Sequence, residues 1–152
     1  VIVRRATEQD LPEYVRLARR FHAASPVSTA IPFDPEGFGA FYLNSLENPD
    51  IGLWLTEQDG KIIGIAGAVV YPMYFSPTHR VAQELWWWLE PEARGSGAGA
   101  EMYREIETWA AENKASVMFM IALEDANSGK MANLYARKGY RPMERTFIKE
   151  VA

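Results

Sequence analysis

Residues 85–100 constrain this chain more than any other stretch. Leu85-Trp86-Trp87-Trp88-Leu89 reads as an apolar strand, Glu90-Pro91-Glu92 as a short acidic turn, and Arg94-Gly95-Ser96-Gly97-Ala98-Gly99-Ala100 as an Arg-led glycine loop opening into a helix near Ala98. A loop of this kind cradles polyanions. Glycines take up positive φ and let the backbone approach a phosphate, while the helix N-terminus adds about half a positive charge. Arg94 contributes a planar fork of donors matched to phosphate oxygens. The expected ligand is a pyrophosphate-bearing cofactor.

The flanking pattern sets the scaffold around that loop. Val1–Arg5 alternates as an opening strand. Thr7 with Asp10 caps a helix over Leu11–Phe21, whose Leu11, Tyr14, Val15, Leu17, Ala18 and Phe21 make one apolar stripe. Ala24–Phe33, with Pro26 and Pro32, reads as a loop, and Asp34-Pro35 starts a second helix ending near Leu46. Ile51–Glu57 and Lys61–Tyr71 are two strands joined at Gln58-Asp59-Gly60, a hairpin signal. Pro72–Arg80 is expected to be a loop, Val81–Leu89 a strand, Ala98–Asn113 a helix and Ser116–Leu123 a further strand. Strand, helix, strand at this spacing is a crossover, so those two strands are expected to be parallel. Ser128–Lys138 is a helix ended by Gly139, and Arg145–Val151 a last strand. The pattern gives one α+β domain over 1–152, antiparallel in its first half with a parallel pair in its centre.

Composition narrows the function classes. At 152 residues one core suffices, burying roughly 70% of the unfolded surface. The chain has no cysteine, which removes thiol nucleophiles, Cys-ligated zinc and iron–sulfur clusters. Its two histidines, His22 and His79, lie too far apart in sequence to suggest a metal site, so no metal is expected. A net charge of −4 argues against a nucleic-acid partner, which needs a basic stripe. Arg4, Arg5, Arg16, Arg19 and Arg20 form a local basic cluster, read as a solvated face. No apolar run reaches the ~20 residues of a membrane span and no secretory signal leads the chain, so a cytoplasmic location is expected.

The loop also satisfies the dinucleotide pattern through Gly95, Gly97 and Ala100. However, Glu90–Arg94 separates it from the strand, and too few residues follow for a doubly wound sheet. A dinucleotide-binding oxidoreductase module is therefore the weaker alternative. Arg94-x-x-Gly97-x-Gly99, led by Leu89, Pro91 and Glu92, resembles the acyl-CoA-binding motif of the GNAT N-acetyltransferase superfamily. Leu134-Tyr135 with Gly139-Tyr140 is similar to that family's Leu-Tyr-x-x-x-Gly-[FY] signature, and Val3–Asp10 with Leu11-Pro12 to its opening. His22…Ser25-Pro26 and Phe147-Ile148-Lys149 resemble small stand-alone members carried by phages and prophages.

The resemblance implies a mixed, mostly antiparallel sheet with flanking helices, whose central parallel pair splays apart around a pantetheine arm. It implies acetyl-CoA as co-substrate, bound by the backbone near Trp88 and Leu89, by Arg94, and by the amides of Gly95, Ser96, Gly97, Ala98, Gly99 and Ala100. Tyr135 is implied as the acid beside the sulfur. The family's Asn position falls on Ser128, with Asn127 one residue earlier as the candidate contact. Glu84, on the strand before the loop, is the candidate base, and strand alternation puts it on one face with Trp86 and Trp88 unless a bulge changes the parity. His22, Tyr71, Tyr74 and Trp86 are candidates for the acceptor pocket. The implied reaction is direct acetyl transfer to a primary amine of a small molecule, peptide or protein, with a homodimer left open. A non-catalytic acyl-CoA-binding or partner-binding domain is the other reading.

Overall fold

The computed structural model describes residues 1–125 and 128–152. Its sheet has the order β1 (Ile2–Arg5), β2 (Ile51–Gln58), β3 (Lys61–Met73), β4 (Ser76–Leu89) and β5 (Ala115–Phe119). All neighbours are antiparallel except β4 and β5, which run parallel. Helices α1 (Leu11–Ala24) and α2 (Pro35–Leu46) cover one face through Tyr14, Leu17, Tyr42, Leu53, Leu55 and Ile65. Helix α3 (Ala98–Glu112) covers the other through Met102, Ile106 and Trp109 against Trp54, Ala66, Ala68, Val70 and Ala82. Helix α4 (Ser128–Arg137) lies on the same side, its Tyr135 packed near Tyr140 and Tyr140 near Tyr103 of α3.

Local chemistry sets the element ends. The Asp10 carboxylate accepts from the Thr7 N–H (2.8 Å) and hydroxyl (2.9 Å) and pairs with both terminal nitrogens of Arg4. Arg4 reaches on to Glu57, so one charge cluster ties β1, the start of α1 and β2 together. At α2 the Asp34 carboxylate accepts from the Gly37 N–H at 3.0 Å, and Pro35 sits in the first turn. The β2–β3 turn has positive φ at both Asp59 (51°) and Gly60 (75°), the geometry of a two-residue hairpin.

Three expectations change. Pro72–Arg80 is not a loop, because β3 and β4 continue as a hairpin to a tip at Tyr74-Phe75. The register jumps from Pro72↔Arg80 to Met73↔Ser76, so Pro77, Thr78 and His79 bulge out and the proline is accommodated there. The strand expected over Ser116–Leu123 ends at Phe119, where its chain leaves β4. Arg145–Val151 forms no strand. Its β-branched and aromatic residues carry strand preference, but no ladder forms to express it, and residues 141–152 are exposed. The segment after α4 therefore adds no strand beyond β5, and the parallel pair stands at one edge of the described sheet.

The Arg4 guanidinium holds the Asp10 carboxyl at about 2, below its ordinary 3.8. A lowered pKa in the folded state stabilises the fold above the ordinary value, and that contribution is lost as pH falls through about 4 to 2. Asp10→Asn is expected to cost about 1–2 kcal/mol at pH 7, discounted for the partly exposed Arg4. In urea unfolding, the gap between variant and wild type should shrink between pH 4 and pH 2.

Candidate active site

The parallel pairing of β4 and β5 stops at Gln83↔Phe119, while β4 runs on to Leu89 paired only with β3. A gap therefore opens along residues 84–89 on that side. A chain leaving a ladder must satisfy its backbone groups elsewhere. Ile121 does so with two side chains. Its N–H donates to the Glu84 carboxylate at 3.0 Å, and its carbonyl accepts from the Tyr135 hydroxyl at 2.8 Å. Glu84 and Tyr135 thus clasp the diverging chain from β4 and from α4.

Burial governs both groups. Glu84 is 4% exposed, and desolvation pushes its carboxyl up to about 7, against the opposing pull of the Ile121 N–H and the Tyr135 hydroxyl. Desolvation and then the Glu84 charge push the Tyr135 phenol well above its ordinary value. The pair is a carboxyl poised near neutral pH beside a phenol that keeps its proton.

A bulge decides which face each side chain takes. Gly67 lies opposite Trp86 but Ala68 opposite Glu84, so Leu85 is an extra residue in β4. This overturns the shared face expected for Glu84, Trp86 and Trp88. Glu84 stands with Ala68 and Ala82 on the α3 side, whereas Trp86 and Trp88 pack with the α1–α2 core. Backbone direction corrects a second expectation. The Glu90 N–H bonds the Ile63 carbonyl, so alternation turns the Trp88 amide and carbonyl toward β3 and leaves those of Trp87 and Leu89 facing the gap. The Trp87 indole N–H is itself buried without a partner among the described residues.

The glycine loop follows at the far end of the gap. Gly95 (φ 83°) and Gly97 (φ 92°) are left-handed, and an added Cβ at either would meet nothing, so glycine is required there by backbone angle rather than by space. Gly97 precedes α3 and offers no side chain of its own; the Ala98 N–H donates to the Ser96 hydroxyl at 3.4 Å, while the first-turn N–H groups of Gly99 and Ala100 have no intrahelical partner. The Ser96 hydroxyl is turned inward to the Ala93 carbonyl at 2.6 Å. Gly99 packs closely beneath Leu89 and Trp87, drawing the helix start against β4. Arg94 lies back over β4. Its Nε donates to the Leu89 carbonyl (3.1 Å) and its guanidinium stacks on Trp88 at 4.8 Å. On the α1 side, Arg16 and Arg20 pair with Glu90, the residue between strand and loop.

The acceptor candidates divide. Trp86 and Tyr71 share the α1–α2 face; Tyr71 stands opposite Val81, short of the gap, and its hydroxyl donates to Oε1 of Gln83, the last paired residue before the gap, at 2.7 Å. Tyr74 does not join them; it is 75% exposed at the hairpin tip with its ring on Phe75. His22 Nε2 bonds the Ile31 carbonyl (2.7 Å) and the ring packs on Phe33, which ties the end of α1 to the following loop. His79 lies in the bulge at the hairpin end, bonded to Ser76. Asn127 lies outside the described residues. Sequence reasoning missed Phe38, Phe41 and Gln83, which surround Trp86 and Tyr71; the i,i+3 spacing of the two phenylalanines on α2 was the available signal.

The comparisons with known proteins agree with this architecture. No curated protein matches the chain in sequence. Among solved structures, an aminoglycoside acetyltransferase from an uncultured soil metagenomic sample superposes with TM-score 0.78 at 18% identity, covering 99% of this chain and 98% of that one. A predicted acetyltransferase with acetyl-CoA from Clostridium acetobutylicum gives TM-score 0.78 at 19% identity over 98% and 95%. A ribosomal-protein-alanine N-acetyltransferase from Brucella melitensis biovar Abortus 2308 gives 0.74 at 14% over 99% and 100%. The mixed sheet offers no doubly wound scaffold for the dinucleotide alternative. The family model for GNAT acetyltransferases matches residues 14–140, and the chain belongs to that family.

Proposed function

We propose that this chain transfers an acetyl group from acetyl-CoA to a primary amine by direct attack within a ternary complex. The observation that carries the reading is the gap between β4 and β5, with a buried carboxyl–phenol pair at its closed end and the glycine loop at its open end. The residues present fit the co-substrate. The first-turn amides of Gly99 and Ala100 suit a diphosphate, and the gap-facing backbone of Trp87 with the Leu89 N–H suits the amides of a pantetheine arm. Acetyl-CoA supplies a thioester whose carbonyl carbon bonds to nitrogen as its bond to sulfur breaks.

This chain's own groups manage the protons. A lysine-like ammonium lies about 3.4 pH units from neutrality at pH 7, a cost of roughly 4–5 kcal/mol. Glu84, ionised above about 7, takes one proton from it, directly or through water. Tyr135 presents its hydroxyl to the departing sulfur. Two protons leave nitrogen in all: one ends on sulfur and one in solvent. Relatives named for an aminoglycoside and for a ribosomal-protein alanine support an amine as the acceptor class. No thiol is available in the chain for an acyl-enzyme.

Calorimetry should detect acetyl-CoA and CoA but not NAD; preferential NAD binding would falsify the reading. Gly97→Ala forces a side chain into left-handed backbone at about 1–2 kcal/mol, so acetyl-CoA should bind about tenfold more weakly. For the proton step, kcat/KM should rise with pH through about 7, because the base works ionised. Glu84→Gln keeps an acceptor for the Ile121 N–H, so it should fold, bind acetyl-CoA and lose about 100-fold in rate together with that inflection. A Glu84→Gln protein of unchanged rate and profile would leave Glu84 as the clasp alone. Acetyl-CoA binding with no thiol release from any amine would favour a non-catalytic binding domain.

A further inference from the structure

Resting on the acetyl-transfer reading, the structure points to the kind of amine accepted. Trp86 stands just past the bulge on the α1–α2 face, two residues along β4 from Glu84. Its ring lies flat on Gly67, where a Cβ would come within 2.5 Å of the indole. Its N–H is taken by the Tyr14 hydroxyl at 3.0 Å, and Tyr14 in turn donates to the Ala66 carbonyl at 2.7 Å. Trp86 therefore presents a fixed ring with no free polar handle. Phe38 and Phe41 meet it edge-on at 5.5 and 6.2 Å, and they sit 6.4 Å from each other. Phe41 is 41% exposed, so this triangle of rings reaches the surface on the α1–α2 face.

The charges around the rings restrict what binds. Phe33, in contact with Phe38, already carries the Arg19 guanidinium over its face at 5.2 Å. A positive charge at this rim disfavours an acceptor bearing several ammonium groups. Burial, and then the Glu144 carboxylate, raise the Tyr71 pKa. With the Arg19 guanidinium at the rim, the Glu144 carboxylate near Tyr71 is not an acidic funnel for a polycation. Aromatic faces favour apolar bodies and single cations.

We propose that the acceptor is a monoamine carried on an aromatic or aliphatic body, with Phe38, Phe41 and Trp86 holding that body while the amine points toward the gap. Gln83 and Tyr71, bonded to each other on the same face of the sheet, supply the polar groups next to these rings. The transfer leaves an acetamide on this amine and a free thiol on CoA.

The test uses the full chain with 2-phenylethylamine, spermidine and kanamycin, read by equilibrium binding in the presence of CoA and by thiol release with acetyl-CoA. 2-Phenylethylamine should bind at least tenfold more tightly than spermidine or kanamycin and should have the highest kcat/KM. Phe41→Ala, at a half-exposed position, should raise its KM about tenfold with kcat and acetyl-CoA affinity unchanged, and Phe41→Leu should restore most of the loss. Equal or tighter binding of a polyamine, or an unchanged KM in Phe41→Ala, overturns the proposal. Failure of the parent reading looks different: acetyl-CoA itself does not bind, whatever the amine does.

Discussion

Two hydrogen bonds to the backbone of Ile121 hold the functional half of this structure open. Where β5 ends, its chain turns from β4, and a polar backbone stripped of its ladder would ordinarily pull the strands back together or draw in water. The Glu84 carboxylate and the Tyr135 hydroxyl supply the missing acceptor and donor. Three elements are joined through one residue: β4 by Glu84, the departing chain by Ile121, and α4 by Tyr135. The same contacts bury the carboxyl, and burial moves its titration toward neutral pH. Architecture and titration are therefore not separable here, because the group that clasps the diverging chain is the group whose pKa its burial raises.

The bulge at Leu85 is the second constraint. Without it, Glu84 and Trp86 would face the same side of the sheet. With it, β4 turns Glu84 toward α3 and α4 and Trp86 toward α1 and α2 within two residues. Gly67 across the ladder gives Trp86 the room to lie flat on β3, and Tyr14 fixes the indole from α1. A carboxyl on one face and an aromatic floor on the other thus meet at one point of one strand.

Much of the scaffold could be read from local chemistry. Asp34 and Pro35 mark the start of α2, Asp59-Gly60 fixes the first hairpin, and the strand–loop–helix run around Gly97 locates the cradle, because each depends on residues close in sequence. What could not be read depends on partners. Strand parity through Glu84 and Trp86 fails because a bulge is set by the pairing of β3 with β4, not by β4 alone. Pro72–Arg80 looks like a loop because two prolines argue against a ladder, yet one sits beside a bulge that absorbs it. Arg145–Val151 has the composition of a strand but no partner edge to define it. Phe38 and Phe41 were assigned to a helix without attention to what that helix faces.

Arg94 shows how the two kinds of knowledge combine. Its place in the loop motif suggests a phosphate ligand, but its guanidinium is stacked on Trp88 and its Nε is committed to the Leu89 carbonyl. Those contacts brace the turn where β4 becomes the loop, and Glu90 braces it from the other side through Arg16 and Arg20. Bracing matters because a backbone cradle binds through amides that must already converge before the anion arrives. In this arrangement Arg94 braces the turn that carries the left-handed glycines into the start of α3.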